Sequence, residues 1–164
     1  MKTTLENASI EKKALLERML ELYAYDFSNF TSDDINDQGE YGFKRLLRHH
    51  WTGKNPDPFV IKIDGKISGF AMVLEDTKDK TLHELKEFFI LKKYRRYGIG
   101  KIAAKKIFNR FPGKWILSVL SNNKPAILFW EKVINEYTSG RFKVEKEIGS
   151  NKKLFKFKST VKAR

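Results

Sequence analysis

Phe88-Phe89-Ile90-Leu91-Lys92-Lys93-Tyr94-Arg95-Arg96-Tyr97-Gly98-Ile99-Gly100-Lys101 decides the fold. An apolar run suited to a buried strand passes into a basic loop, and the loop into two glycines that open a helix. That geometry makes an anion site. Glycines let the backbone approach closely, a helix N-terminus leaves N–H groups unpaired, and its dipole favours negative charge. Arg95, Arg96 and Lys101 would add full charges, and the arrangement suits a pyrophosphate. It is not a dinucleotide fingerprint, because no third glycine follows at the required spacing. It is not a P-loop either, because no Gly-Lys-Ser/Thr is present.

Upstream, Leu82–Leu91 reads as the strand that feeds this loop. Phe59–Asp64 and Ile67–Leu74 read as a hairpin across Asp64-Gly65. Glu11–Tyr25 is a helix whose Leu15, Met19, Leu22 and Tyr25 recur at helical spacing; Gly42–Trp51 is a second, short one, and Lys2–Ala8 a first strand. Downstream, Gly98–Phe111 is a helix with Ile99, Ile102, Ala103 and Ile107 on one face, stopped by Pro112-Gly113. Trp115–Leu120 is a buried strand. Asn122-Asn123 caps a helix with Pro125 in its first turn, and Arg141–Ile148 with Lys152–Lys158 forms a last hairpin. The order is β-α-α-β-β-β-α-β-α-β-β, an α/β chain with a mixed sheet flanked by helices, and residues 1–164 are expected to form one domain.

Composition narrows the function classes. The chain has no cysteine, which removes disulfides, thiolate metal sites and a cysteine nucleophile. No apolar run reaches the roughly 18 residues of a membrane span, and the opening MKTTLENASIEKK has no apolar signal core, so a cytoplasmic location is expected. The formal charge is +13. Residues 1–82 carry 12 basic and 14 acidic side chains, residues 83–164 carry 21 and 6. All the positive excess lies in the second half, which points to a polyanionic ligand.

Two motifs resemble the GNAT acetyltransferase superfamily. Arg95-Arg96-Tyr97-Gly98-Ile99-Gly100 matches its Arg/Gln-x-x-Gly-x-Gly/Ala signature, after an apolar strand as in that family. Asn123-Lys124-Pro125-Ala126-Ile127-Leu128-Phe129-Trp130 resembles its Asn-x-x-Ala-x-x-Phe-Tyr segment, after the next strand. The element order fits over nearly the whole chain, and Glu87–Ile90 with the Tyr-Arg loop is also similar to diamine acetyltransferases. The resemblance implies a mostly antiparallel sheet in which two neighbouring strands splay, so that the pantetheine arm of acetyl-CoA enters like an added strand. Carried over, Phe89, Ile90 and Leu91 would bond that arm. Arg95, Arg96, Tyr97, Gly98, Ile99, Gly100 and Lys101 would cradle the pyrophosphate, and Asn123 and Phe129 would line the second wall.

The implied reaction is direct attack of a neutral amine on the thioester. Glu84 and Glu87 are the candidate bases. Alignment on the loop sets Glu84 where several members carry a catalytic Glu, whereas Glu87 lies nearer the thioester end. Three apart, they point to opposite faces of a regular strand unless a bulge intervenes. Trp130 stands where many members have a Tyr that protonates the leaving thiolate, so the general acid is unassigned.

The acceptor is expected to be the primary amine of a small molecule or peptide. Asp26, Asp33, Asp34, Asp37 and Glu40 offer an acidic rim, and Tyr25, Tyr41 and Trp51 candidate walls. His49, His50 and His83 do not have metal-site spacing, so no metal is expected. Two other function classes stay open. One is a basic nucleic-acid module using the Lys152–Lys162 tail, which has no recognised motif behind it. The other is a non-catalytic acyl-CoA-binding protein. Neither a nucleic-acid nor a membrane partner is favoured, and a homodimer is left open.

Overall fold

A computed structural model describes residues 1–161 of the chain. Seven strands and three α-helices follow one another in the order β1 (Thr3–Asn7), α1 (Lys13–Phe27), β2 (Phe59–Ile63), β3 (Lys66–Glu75), β4 (Leu82–Ile90), α2 (Ile99–Arg110), β5 (Lys114–Leu120), α3 (Lys124–Thr138), β6 (Phe142–Lys146) and β7 (Lys152–Lys158). They form one sheet in the order β1-β2-β3-β4-β5-β7-β6, antiparallel except between β4 and β5. The segment expected as a second helix is a 3-10 helix over Phe43–His49. It starts at Gly42 in the left-handed region, and Glu21 of α1 accepts the N–H groups of Tyr41 and Phe43 at 2.6 and 3.1 Å. His50 is already extended, so the segment is too short for a stable α-helix.

Alternation along the strands divides the apolar side chains between two faces. Ala71 and Val73 of β3 join Trp115, Leu117 and Val119 of β5 under α2 and α3. Phe70 and Met72 of β3 face the other way, under α1 and the 3-10 helix. The helix faces differ slightly from the sequence expectation. In α1 the buried stripe is Leu16, Met19, Leu20 and Ala24, while Leu22 and Tyr25 are exposed; in α2 Ile102 is exposed and Ala104 and Phe108 are buried. Apolar residues in adjacent pairs, such as Leu15-Leu16 and Leu22-Tyr23, fit two helical phases, and the phase with the continuous i, i+3, i+4 stripe is the one that packs.

Candidate active site

The sheet opens between β4 and β5. They pair only at Leu82↔Lys114, His83↔Trp115 and Glu84↔Ile116, after which their registers end. From Leu85 to Ile90 one edge of β4 is therefore free, while the other stays laddered to β3. Leu91 N–H donates to Ser68 O at 2.8 Å, and alternation turns Phe89 with Leu91 toward β3 and Phe88 with Ile90 toward the gap. Of the three residues expected to hold a pantetheine arm, Ile90 has backbone facing the opening, and Phe88 joins it. Gly69 allows the tight β3–β4 approach beside the gap, since a Cβ there would lie 2.1 Å from Phe89 O.

At the top of β4 the loop turns into α2. Gly98 is the N-cap, with φ 76°, and the first helical bond runs from Ile102 N–H to Gly98 O at 3.1 Å. The N–H groups of Ile99, Gly100 and Lys101 precede that bond and have no partner within the helix. Open space adjoins Gly98: a Cβ there would meet nothing within 4 Å. Gly100 is glycine for a different reason, because a Cβ would lie 3.1 Å from the Phe129 ring. Ile99 is buried and offers only its backbone, while Arg96 and Tyr97 are exposed.

The three cations expected at the phosphates separate. Arg95 donates from Nε to Ile90 O at 2.8 Å and from its two terminal nitrogens to Asp26 at 3.3 and 2.7 Å, tying the loop to α1. Lys101 pairs with Glu136 of α3 at 3.1 Å, which Lys105 shares at 3.3 Å. Arg96 has no ion pair among the described residues. Arg96→Ala is therefore expected to weaken CoA binding about three- to tenfold and to flatten its salt dependence. Arg95→Ala should instead lower the melting temperature, because it releases the loop from α1. Calorimetric CoA titrations at two salt concentrations, with melting curves, check both.

The α3 wall begins at Asn123, whose side chain accepts from Ala126 N–H at 3.1 Å as the expected cap. Phe129 stacks on Phe88 of β4 with centroids 6.2 Å apart, and Trp130 meets Phe88 and Phe129 edge-on at 5.1 and 4.8 Å. Trp130 is buried, and it packs this wall. Trp130→Phe keeps most of that bulk and is expected to retain kcat within about tenfold, below the usual loss of a general acid. Trp130→Ala should do worse through the cavity it leaves. A loss of several hundredfold in a folded Phe variant would give the indole N–H a catalytic role.

A bulge resolves the geometry of the two carboxylates. Met72 pairs with Glu87 and Val73 with Leu85, so Lys86 is an extra residue in β4. Glu84 and Glu87 consequently share one face, the face of α1. Glu84 forms a 3.1 Å ion pair with Lys86 at the surface. Glu87 is half-buried, and burial of its carboxyl raises the pKa from 4.5 to about 7, with the Tyr23 hydroxyl and Lys86 pulling it down. Tyr23 escapes the sequence expectation; its only signal is the spacing Met19-Tyr23-Phe27 on α1. On the β5 side of the same face, the Ser118 hydroxyl donates to Glu147 at 3.3 Å, and hydrogen bonding from Ser150 holds the Glu147 pKa below its usual value.

Three of the eight expected acceptor-side residues have structural partners for their side chains. Asp26 is held by Arg95, Glu40 pairs with Lys44 at 3.0 Å, and the Trp51 indole N–H donates to Ala8 O at 2.9 Å. Tyr25, Asp33, Asp34 and Asp37 are exposed. His50 Nδ1 lies 2.8 Å from Pro56 O and His83 Nε2 3.2 Å from Pro112 O, and no three metal-binding side chains cluster among the described residues. Of the basic tail, Lys152–Lys158 is strand β7, and Lys162 lies outside the described residues. No helix among those residues is long and apolar enough to cross a membrane.

A strand pair that splays beside a glycine-capped helix is the donor-site architecture of acetyltransferases, and the chain belongs to the acetyltransferase (GNAT) family, whose model matches residues 16–134. Its reaction class is acetyl transfer from acetyl-CoA to an amine. The fold is similar to an acetyltransferase from Thermus thermophilus (TM-score 0.73, 14% identity, covering 96% of this chain and 97% of that one). It is also similar to the diaminobutyrate acetyltransferase EctA of Paenibacillus lautus, solved with L-2,4-diaminobutyric acid and coenzyme A (0.63, 13%, 99% and 98%). A third is Arabidopsis thaliana Naa50 with the bisubstrate analogue CoA-Ac-MVNAL (0.61, 14%, 97% and 99%). No curated protein matches the chain significantly.

Proposed function

We propose that this chain acetylates a primary amine of a small molecule or peptide by direct attack, in the gap between β4 and β5, with Glu87 as the base. The observation that carries this is the free β4 edge running from a half-buried carboxylate at Glu87 to the unpaired N–H groups at the start of α2. The distribution of groups along that edge fits acetyl-CoA. A diphosphate suits the N–H groups of Ile99, Gly100 and Lys101 with Arg96 beside them. An amide-bearing arm suits the backbone of Phe88 and the N–H of Ile90, whose C=O already accepts from Arg95.

Bound acetyl-CoA supplies the activated acyl group. Phe88, Phe129 and Trp130 form an aromatic wall that keeps water from the reacting end. Glu87, with a pKa of about 7, is ionised in a large fraction of molecules at neutral pH and still basic enough to take the ammonium proton. Glu87 takes one proton from the ammonium, the neutral amine forms the N–C bond as the C–S bond breaks, and the second N–H proton passes to water. CoA departs as a thiolate, tolerable because a thiol pKa lies near about 8.5. The neighbours act on a diamine acid and, through the analogue, a peptide, so both acceptor classes belong in the test. Acetyl-CoA is a metabolite of the cell interior, which supports a cytoplasmic location, and one continuous sheet supports treating residues 1–164 as a single domain. A panel of diamines, amino acids and peptides with acetyl-CoA, read as CoA release, tests the proposal. Release with at least one amine is expected, and no release above the amine-free blank would contradict it.

A further inference from the structure

We propose that Tyr23 is the positioning residue for Glu87: from the middle of α1 its hydroxyl donates to the carboxylate and fixes which oxygen is left to take the amine proton. The inference rests on Glu87 being the base and adds what aims it.

The ring of Tyr23 has little freedom. Its centroid lies 5.4 Å from that of Phe27, 6.1 Å from Phe43, 5.8 Å from Phe70 and 5.5 Å from Phe89. These four rings come from α1, the 3-10 helix, β3 and β4, so the phenol is clamped from every side that packs on it. Phe70 and Phe89 are register partners, and Phe89 lies two residues beyond Glu87 on the same face of β4. The strand that carries the carboxylate therefore also grips the Tyr23 ring, on the same face of the sheet. The clamp matters because Glu87 follows the bulge at Lys86 in the stretch of β4 that has lost β5, where β3 alone pairs with the strand.

The electrostatics agree with this geometry. A phenol donating to a carboxylate favours its ionised form and so opposes burial. Lys86 and Lys152 act in the same direction as Tyr23, and Glu84 acts against them. Burial, Glu87 and Asp26 all push the Tyr23 pKa well above its usual value, so the phenol stays a donor throughout the working pH range. In the proposed arrangement Tyr23 engages one Glu87 oxygen and leaves the other to take the amine proton.

Tyr23→Phe keeps the clamped ring and deletes the hydroxyl. Side-chain carboxyl 13C NMR titration of glutamate-labelled protein reads Glu87 without needing an acceptor, its resonance identified by its loss in Glu87→Gln. In Tyr23→Phe the Glu87 midpoint is expected to rise by about one pH unit. With any amine that turns over, CoA release should fall about fivefold at pH 7 and recover toward wild type near pH 9, as the base ionises. A reciprocal measurement guards against a folding defect: in Glu87→Gln, Tyr23 should titrate at lower pH by ultraviolet absorbance than in the wild type. An unmoved Glu87 midpoint, an unmoved Tyr23 titration in Glu87→Gln, or an equal rate loss at every pH would overturn the inference and leave Tyr23 as packing. If Glu87→Gln kept full activity, the base assignment would fail instead, while the two titrations would still read the contact.

Discussion

Glu87→Gln is expected to lower kcat for amine acetylation by about 10²- to 10⁴-fold at neutral pH, the usual range for loss of a general base, with the KM for acetyl-CoA nearly unchanged. The carboxamide keeps the shape of the side chain and an acceptor for Tyr23 but cannot take a proton. In the wild type, kcat/KM should rise with pH along a limb centred near the Glu87 value of about 7. That limb should vanish in the variant, whose residual rate should climb only as the free amine accumulates. Stability gives a second readout with a definite sign. The native Glu87 pKa is raised above its unfolded value of 4.5, so the native state holds a proton that the unfolded chain releases. The stability linked to that proton is present below pH 4.5 and lost as pH rises through 7. Glu87→Gln has no charge to bury, so its melting temperature should gain on the wild type between pH 4 and pH 8. Should Glu84→Gln show the kinetic pattern in place of Glu87→Gln, the base is Glu84.

Gly98→Val is expected to weaken CoA binding by at least about tenfold, a change worth about 1.4 kcal/mol. Gly98 caps α2 at φ 76°, a conformation that a β-branched residue adopts only with strain. The loop would have to re-route, and the three N–H groups that follow would no longer converge. The added methyls would also fill the open space beside Gly98, where a diphosphate has to lie. Gly98→Ala separates these causes, since it adds a smaller group at similar backbone cost and should fall between wild type and Val. Calorimetric titration with CoA checks both, with melting curves to confirm that each variant is folded. CoA affinity equal to wild type in Gly98→Val would move the anion site elsewhere.

What the sequence discloses here is mostly local. The glycine-opened helix after an apolar strand is readable because capping and close approach each demand glycine within a few residues. The Asn123 cap, the Pro125 turn and the Asp64-Gly65 hairpin are readable for similar reasons, and the last has φ 47° and 79° as such a turn requires. The features missed depend on residues distant in the chain. Lys86 has no feature that marks a bulge; only the pairing of β4 with β3 makes it the extra residue and turns Glu84 and Glu87 to one face. Arg95 reads as a phosphate ligand until Asp26, far back on α1, is found against it. Lys101 likewise is met by Glu136 from α3. Tyr23 stays hidden because α1 fits two apolar phases, and the packed phase is selected by Phe70 and Phe89 on the sheet.

The central claim is that acetyl-CoA lies along the free edge of β4 with its phosphates at the start of α2. Backbone hydrogen exchange with and without CoA tests it most directly, because it reports which amides a ligand covers. Added CoA should slow exchange at Phe88, Ile90 and Ile99–Lys101, and leave β6 and the β6–β7 turn unchanged. Protection confined to the basic strands β6 and β7, or no protection at millimolar CoA while a duplex oligonucleotide protects them, would contradict the account and make the positive half of the chain a nucleic-acid surface.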